Sequence, residues 1–207
     1  MFHATCYMKY MSTPARSEKI LDVVSQRQAG LTIVLEDIHD PHNAAAICRS
    51  AEAFGVQDIH VIFVQEKYVN LGRVGKTSSS SANQWLTFHY YTSTEECLAT
   101  LKEKGFEVVA TALTDTAEDI FEAELASPNI ALMIGNEHRG LSDRALKIVD
   151  RVIQIPMRGF VQSLNVSVTA AIGLFEITRQ RLARKVLLPL SSAEQEALVA
   201  EFSPKSV

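Results

Sequence analysis

The chain has 207 residues, a formal charge of −4, 47% hydrophobic and 21% charged residues, proportions of a folded domain with appended terminal helices. No apolar run reaches the ~18–20 residues that cross a bilayer, the N-terminal MFHATCYMKYM holds no signal-peptide core, and Cys6, Cys48 and Cys97 are too scattered for a disulfide framework or a thiolate metal site. Membrane-spanning, secreted and zinc-finger classes are excluded on these grounds, and a soluble cytoplasmic protein is expected.

In chain order, a helix is predicted from Pro14 to about Gln28, capped by Thr13 and ended by Gly30. LTIVLE (31–36) reads as a buried strand, and 43–54 as an alanine-rich helix closed by Gly55. A strand over 58–64 leads into a polar loop with Gly72, Gly75 and Ser78–Ser81. A short strand (86–91), a helix from Thr94 to Gly105 and a strand over 106–113 follow, then an acidic segment expected to be irregular. Next come a strand over 129–135, a helix capped by Ser142, a strand over 151–156 and a long helix from Asn165 to near Lys185. Ser191 and Glu194 have capping-box spacing for a last helix. Strands alternating with helices predict an α/β fold, a mostly parallel sheet with helices on both faces. The expected division is an N-terminal helical extension (1–30), a core domain (31–175) and a C-terminal helical extension (176–207). The final helix exceeds what so small a sheet can cover and is expected to pack on a second subunit or a ligand.

Local charge tells more than the total, because phosphate attraction acts over a Debye length of ~8 Å. Lys9, Arg16, Lys19 and Arg27 make the N-terminus basic, and Arg179, Arg181, Arg184 and Lys185 do the same near the end of the long helix. Residues 112–126 carry Asp115, Glu118, Asp119, Glu122 and Glu124 with no base. Charge alone permits a nucleic acid partner; it equally fits helix ends complementing their dipoles.

Ligands in such sheets sit beyond the carboxyl ends of strands. Here those ends are Thr111–Leu113, Gly135–Glu137 and the run from Pro156 into MRGFVQSLN. No GxGxxG, P-loop or HExxH is present, and Ser163 is not in a GxSxG elbow. His39 and His42 are separated by Pro41, which points to a turn rather than a metal pair. Neither a metal site nor a membrane partner is expected.

Three segments, LEDIHDPHNAAAICRSAEAFG (35–55), IALMIGNEHRGLS (130–142) and IPMRGFVQSLNVSVTAAIG (155–173), resemble motifs 1, 2 and 3 of the SpoU branch of the SPOUT RNA methyltransferases. With the strands between them they cover roughly residues 31–184. Helical extensions without a separate N-terminal RNA-binding domain are most similar to the TrmH subfamily, which methylates the ribose 2′-hydroxyl of guanosine 18 in tRNA. The resemblance implies a C-terminal trefoil knot, S-adenosylmethionine bent into the knotted loops, and a homodimer, although knots are rare in general. It implies that Thr111, Ile155 and Leu164 contact the cofactor and that Gly135 lets it approach closely.

The same resemblance makes Arg49 the central catalytic residue, with Asn43, Glu137, Ser163 and Asn165 around it. A guanidinium is a donor and hardly a base, so Arg49 would hold a phosphate and stabilise the developing alkoxide. Its plainer role is a helix ion pair with Glu52. Asn43 would orient the Arg49 end of the site or serve as N-cap. Glu137 would anchor Arg49 or a partner-chain group, or be an exposed loop acid. Asn165 would fix the ribose or the knot, or merely cap its helix, and Ser163 would donate to the target or tie its loop. Arg16, Arg179, Arg181 and Arg184 are candidate phosphate contacts. Arg158 departs from the usual motif and is either an extra phosphate contact or a surface change. Ser78–Ser81 closes over RNA or is a linker. The alternatives are a ribosomal RNA 2′-O-methyltransferase and a non-catalytic RNA-binding module.

Overall fold

The computed structural model describes residues 13–73 and 82–205. Cys6, Lys9 and Ser78–Ser81 lie outside the described residues.

α1 (Pro14–Ser25) begins as predicted, with Thr13 accepting the Arg16 N–H, but it ends before Gln26. The chain then forms β1 (Gln28–Ala29), and Gly30 makes the turn into the sheet at φ +67°. A Cβ at Gly30 would lie 2.1 Å from the Pro128 carbonyl oxygen, so a crossing backbone, not a helix end, requires this glycine.

β2 (Leu31–Glu36) is buried along its whole length. α2 (Pro41–Ala53) starts two residues ahead of the predicted helix. Asp40 is its N-cap and Pro41 takes the first position, where a missing N–H costs nothing. That releases Asn43 from the capping role.

β3 (Asp58–Ile62) and β4 (Thr87–Tyr91) lead to α3 (Thr94–Glu103), capped by Ser93. β5 (Glu107–Thr111) is followed by β6 (Glu118–Asp119), a strand inside the acidic segment expected to be irregular. Its cause is Arg151, whose guanidinium donates to both carboxylate oxygens of Glu118 at 2.8 and 2.6 Å and to the Glu124 carbonyl at 2.6 Å. β7 (Ile130–Ile134), α4 (Asp143–Ile148) capped by Ser142, and β8 (Arg151–Gln154) come next. α5 (Val166–Arg184) starts at its N-cap Asn165 and runs unbroken across residues 175 and 176. β9 (Leu188–Pro189) and α6 (Ser192–Phe202), with the predicted capping box, complete the described chain.

The sheet has seven strands in the order β4-β3-β2-β7-β5-β8-β6, every pair parallel. Alternation sorts its residues between two cores. Leu31, Ile33 and Leu35 of β2 and Ile130, Leu132 and Ile134 of β7 pack with α2 and α5. Val34, Ala131 and Met133 face the opposite side, with Leu98 and Leu101 of α3 and Ala145 of α4. The chain departs from β2 toward β3 on one side, while β7 lies on its other side. The β2–β7 junction is therefore a switch point of the sheet, and a cavity opens beside it, at the ends of β7, β5 and β8.

Contacts divide the chain into two compact units. Gln28–Leu188 holds the whole seven-stranded sheet and α2 to α5. The described residues before Gln28 and after Leu188 form the other, in which α1 and α6 pack together. Among the described residues no helix is long and apolar enough to cross a membrane.

Candidate active site

The ends of β5, β7 and β8 and the segment leading into α5 surround a cavity of about 370 Å³, within the range of small-molecule sites. Thr111, Gly135, Ile155 and Leu164, the four expected cofactor contacts, all line it, as do Glu137 and Ser163. Ile134, Leu141, Ile153, Ile155 and Leu164 give it aliphatic walls between strand-end backbone groups. Aliphatic faces and backbone groups suit a neutral purine, which agrees with the absence of a glycine-rich phosphate loop.

Gly135 has a reason of its own. A Cβ there would lie 2.5 Å from Gly140 C and Leu141 N, so the close approach comes from the loop's own backbone. Asn136 and Gly140 exchange backbone hydrogen bonds of 3.0 and 2.9 Å, and Gly140 turns the reversal at φ +69°.

Three of the five catalytic candidates form a hydrogen-bonded chain. Asn43 Nδ2 donates to Glu137 Oε1 at 2.9 Å, and Asn165 Nδ2 donates to Asn43 Oδ1 at 3.1 Å. The chain joins the loop after β7, the first turn of α2 and the start of α5, where Asn165 Oδ1 also accepts the Ser167 N–H. Glu137 accepts the His39 and Asp40 N–H groups as well, at 2.8 and 3.1 Å. Burial pushes its carboxyl up, but donation from Asn43 and the backbone outweighs this, and it titrates below its ordinary range. The expected Glu137–Arg49 contact is therefore not formed, because Glu137 is committed to these donors. Arg49 is exposed on α2, outside the cavity lining, with no hydrogen bond or ion pair to a described residue, Glu52 included.

The basic candidates separate. Arg179 and Arg184 are exposed and paired with Glu176 and Glu124, each at 2.6 Å. Arg181 is 0% exposed and cannot meet a phosphate. It donates to Gln28 Oε1 at 3.1 Å and to the carbonyls of Ala29 and Pro128 at 2.6 and 3.0 Å. This corrects its assignment to RNA, and burial also lowers its pKa. Arg16 is half-buried on α1, with Nε and Nη2 shielded and without a partner among the described residues, and Arg158 is exposed.

Sequence reasoning gave no role to Glu36, Asp37 or Asn136, which hold the strand ends in place. Glu36 Oε1 accepts the hydroxyls of Thr94 and Ser142 at 2.6 and 2.9 Å, and Oε2 accepts the Ser142 N–H at 2.8 Å. Asp37, at φ +51°, accepts the Val64, Gln65 and Glu66 N–H groups. Asn136 Nδ2 donates to the Asp37 carbonyl at 2.7 Å, and its Oδ1 accepts the His138 and Arg139 N–H groups. The signal was present: adjacent acids ending a largely apolar, β-branched strand must find donors once buried. His39 Nδ1 lies 3.1 Å from Glu66 Oε2, and the His42 N–H donates to Asp40.

This parallel sheet, with its strand-end cavity fenced by folded-back loops, matches a known class of protein. Residues 30–175 match the SpoU rRNA methylase family, and the chain belongs to that family. It is 42% identical over 170 residues to the tRNA (guanosine(18)-2′-O)-methyltransferase of Thermus thermophilus, covering 82% of this chain and 85% of that one. It superposes on the Aquifex aeolicus TrmH/SpoU tRNA modifying enzyme with a TM-score of 0.80 at 28% identity, covering 91% of this chain and 95% of that one. The SpoU methyltransferase AviRb of Streptomyces viridochromogenes, in complex with the cofactor AdoMet, gives a TM-score of 0.67 at 27% identity over 79% of this chain and 65% of that one.

Proposed function

We propose that this chain transfers a methyl group from S-adenosylmethionine to the ribose 2′-hydroxyl of guanosine 18 in tRNA, as a cytoplasmic homodimer with a trefoil knot. The observation that carries this reading is the single cavity gathering Thr111, Gly135, Glu137, Ile155, Ser163 and Leu164, with the Glu137–Asn43–Asn165 chain built on the same loops.

Ile155 and Leu164 would hold the cofactor's purine, with Thr111 and the Gly135 backbone beside it. When bound, the cofactor supplies an electrophilic methyl on a sulfonium. A ribose hydroxyl is a weak nucleophile, so the protein must orient it and ease its proton's departure. Glu137 is a positioning group: its oxygens already accept from Asn43, His39 and Asp40, and it fixes the Asn43 side chain that in turn fixes Asn165. Ser163 supplies a hydroxyl at the cavity wall. Arg49 has its donors unused among the described residues, so it can grip the target's phosphate and stabilise the alkoxide. The proton then leaves through phosphate or water.

Purified protein incubated with labelled S-adenosylmethionine and bulk tRNA should place 2′-O-methyl groups at guanosine 18. Arg49→Ala should lose about 10²–10³-fold in rate with its melting temperature unchanged, since the side chain has no partner to lose among the described residues. Labelling of ribosomal RNA alone would favour the other polynucleotide, a reading that the family's description supports. RNA binding without a methylated product would leave a binding module. Calorimetry that detects no cofactor uptake, with or without RNA, would overturn the proposal.

A further inference from the structure

Val64 and Tyr68 are 48% and 60% exposed on a segment that is otherwise firmly held. Leaving β3, this segment gives three backbone N–H groups to Asp37 Oδ1 at 2.8–3.1 Å. Arg139 Nη2 donates to Glu66 Oε1 at 2.7 Å, and Arg139 lines the cavity. The Tyr68 ring meets Phe63 and Tyr90 edge-on, at centroid distances of 5.5 and 5.2 Å. Beneath them Phe88 stacks near Tyr90 at 6.1 Å, and the Tyr90 hydroxyl donates to Asn70 at 3.4 Å. Tyr68 is thus braced from within the protein and open to solvent, two residues from a side chain bonded to the cavity's rim.

An aromatic ring already braced by its neighbours gives up little freedom when a ligand covers its open face. Lys67 precedes it directly in the chain and Arg73 follows five residues later; both are exposed and make no ion pair with a described residue. A braced ring with such cations close by in the chain is complementary to a splayed nucleobase with its adjoining phosphates. An apolar peptide or lipid would need a longer continuous groove than Val64 and Tyr68 offer.

We propose that Tyr68 is a stacking platform for an unpaired base of the RNA substrate, with Lys67 and Arg73 on the neighbouring phosphates. The proposal rests on the reading above and adds where the substrate is gripped outside the cavity. The test compares wild type with Tyr68→Ala, Tyr68→Leu and Tyr68→Phe, measuring tRNA affinity by fluorescence anisotropy, KM and kcat for methyl transfer, and S-adenosylmethionine affinity by calorimetry. Ala and Leu should weaken tRNA binding and raise KM by about 5- to 150-fold, the range of one lost base stack. Under saturating tRNA, kcat should fall far less, cofactor affinity should match wild type, and Phe should recover most of the tRNA affinity.

Wild-type tRNA affinity in the Ala variant would overturn the platform. So would full recovery by Leu, which keeps apolar packing without a stackable face, or loss of cofactor affinity in step with tRNA affinity. A wild type that transfers no methyl group sinks the enzymatic reading alone, since the anisotropy comparison still decides the platform. A wild type that binds no tRNA overturns the platform itself.

Discussion

Arg179, Arg181 and Arg184 stand within six residues of one another on α5, yet one is buried and two are paired at the surface. The helical period explains the difference. Arg181 falls in line with Leu174 and Ile177, seven and four residues earlier, and both are buried. That line was available in the sequence, but the three arginines were grouped by charge before they were sorted by face. Arg181→Met would leave Gln28 Oε1 and two backbone carbonyls short of donors, at about 1–3 kcal/mol for each acceptor left dry. Urea unfolding should show a clear drop in midpoint, while tRNA affinity of the folded variant should keep its salt dependence. Arg184→Ala should do the reverse. Its exposed pair with Glu124 contributes at most about 1 kcal/mol, and loss of one phosphate contact lowers the slope of log affinity against log salt by ~1. A full slope in the Arg184 variant would remove Arg184 from the RNA surface.

Four helix starts set by a capping side chain were legible, Thr13 for α1, Ser142 for α4, Asn165 for α5 and the Ser191–Glu194 box for α6, whereas α2, capped by Asp40, was read two residues late. Those that depend on distant partners were not. β6 needs Arg151, more than thirty residues later in the chain, and Gly30 needs Pro128 across the sheet. The loop from Gly135 to Leu141 belongs to both groups. Its glycines could be read, but what they avoid could not. Gly135→Ala would drive a Cβ into backbone on Gly140 and Leu141, and two main-chain segments cannot yield as a flexible side chain would. The expected cost is about 1–3 kcal/mol, with a weakened cofactor affinity because the same loop carries Glu137 and one cavity wall. Gly159→Ala is the control, since a Cβ there meets nothing within 4 Å. Equal cofactor affinity in both variants would separate the shape of this loop from binding.

At the scale of the whole molecule, the motifs held most of the residues that gather at the candidate site and the alternating pattern carried the sheet, while the proposed pairing of two chains left only indirect marks. Val168, Phe175 and Leu182, 45%, 55% and 60% exposed, recur every seven residues on α5, the spacing that keeps one helix side toward a partner. Light scattering should therefore give twice the chain mass, and Leu182→Glu should shift it toward one chain. Global stability also has a pH-sensitive element in His60. This side chain is buried in β3, stacked on His89 at 4.7 Å and on Tyr91 at 5.7 Å, with Nδ1 3.2 Å from the Tyr91 hydroxyl. Burial first, and then the charge of His89, lower its pKa from the ordinary 6.5 to about 4. Between those values the unfolded chain binds a proton that the folded chain refuses, so the fold loses stability as pH falls through this window. Each pH unit corresponds to about 1.4 kcal/mol, or roughly 3 kcal/mol over the whole interval. Urea unfolding of wild type and His60→Phe from pH 7 to pH 4.5 measures it: the variant should be less stable at pH 7, having lost the Tyr91 contact, and its stability should fall less steeply with acid. Parallel slopes in the two proteins would show that acid sensitivity arises elsewhere.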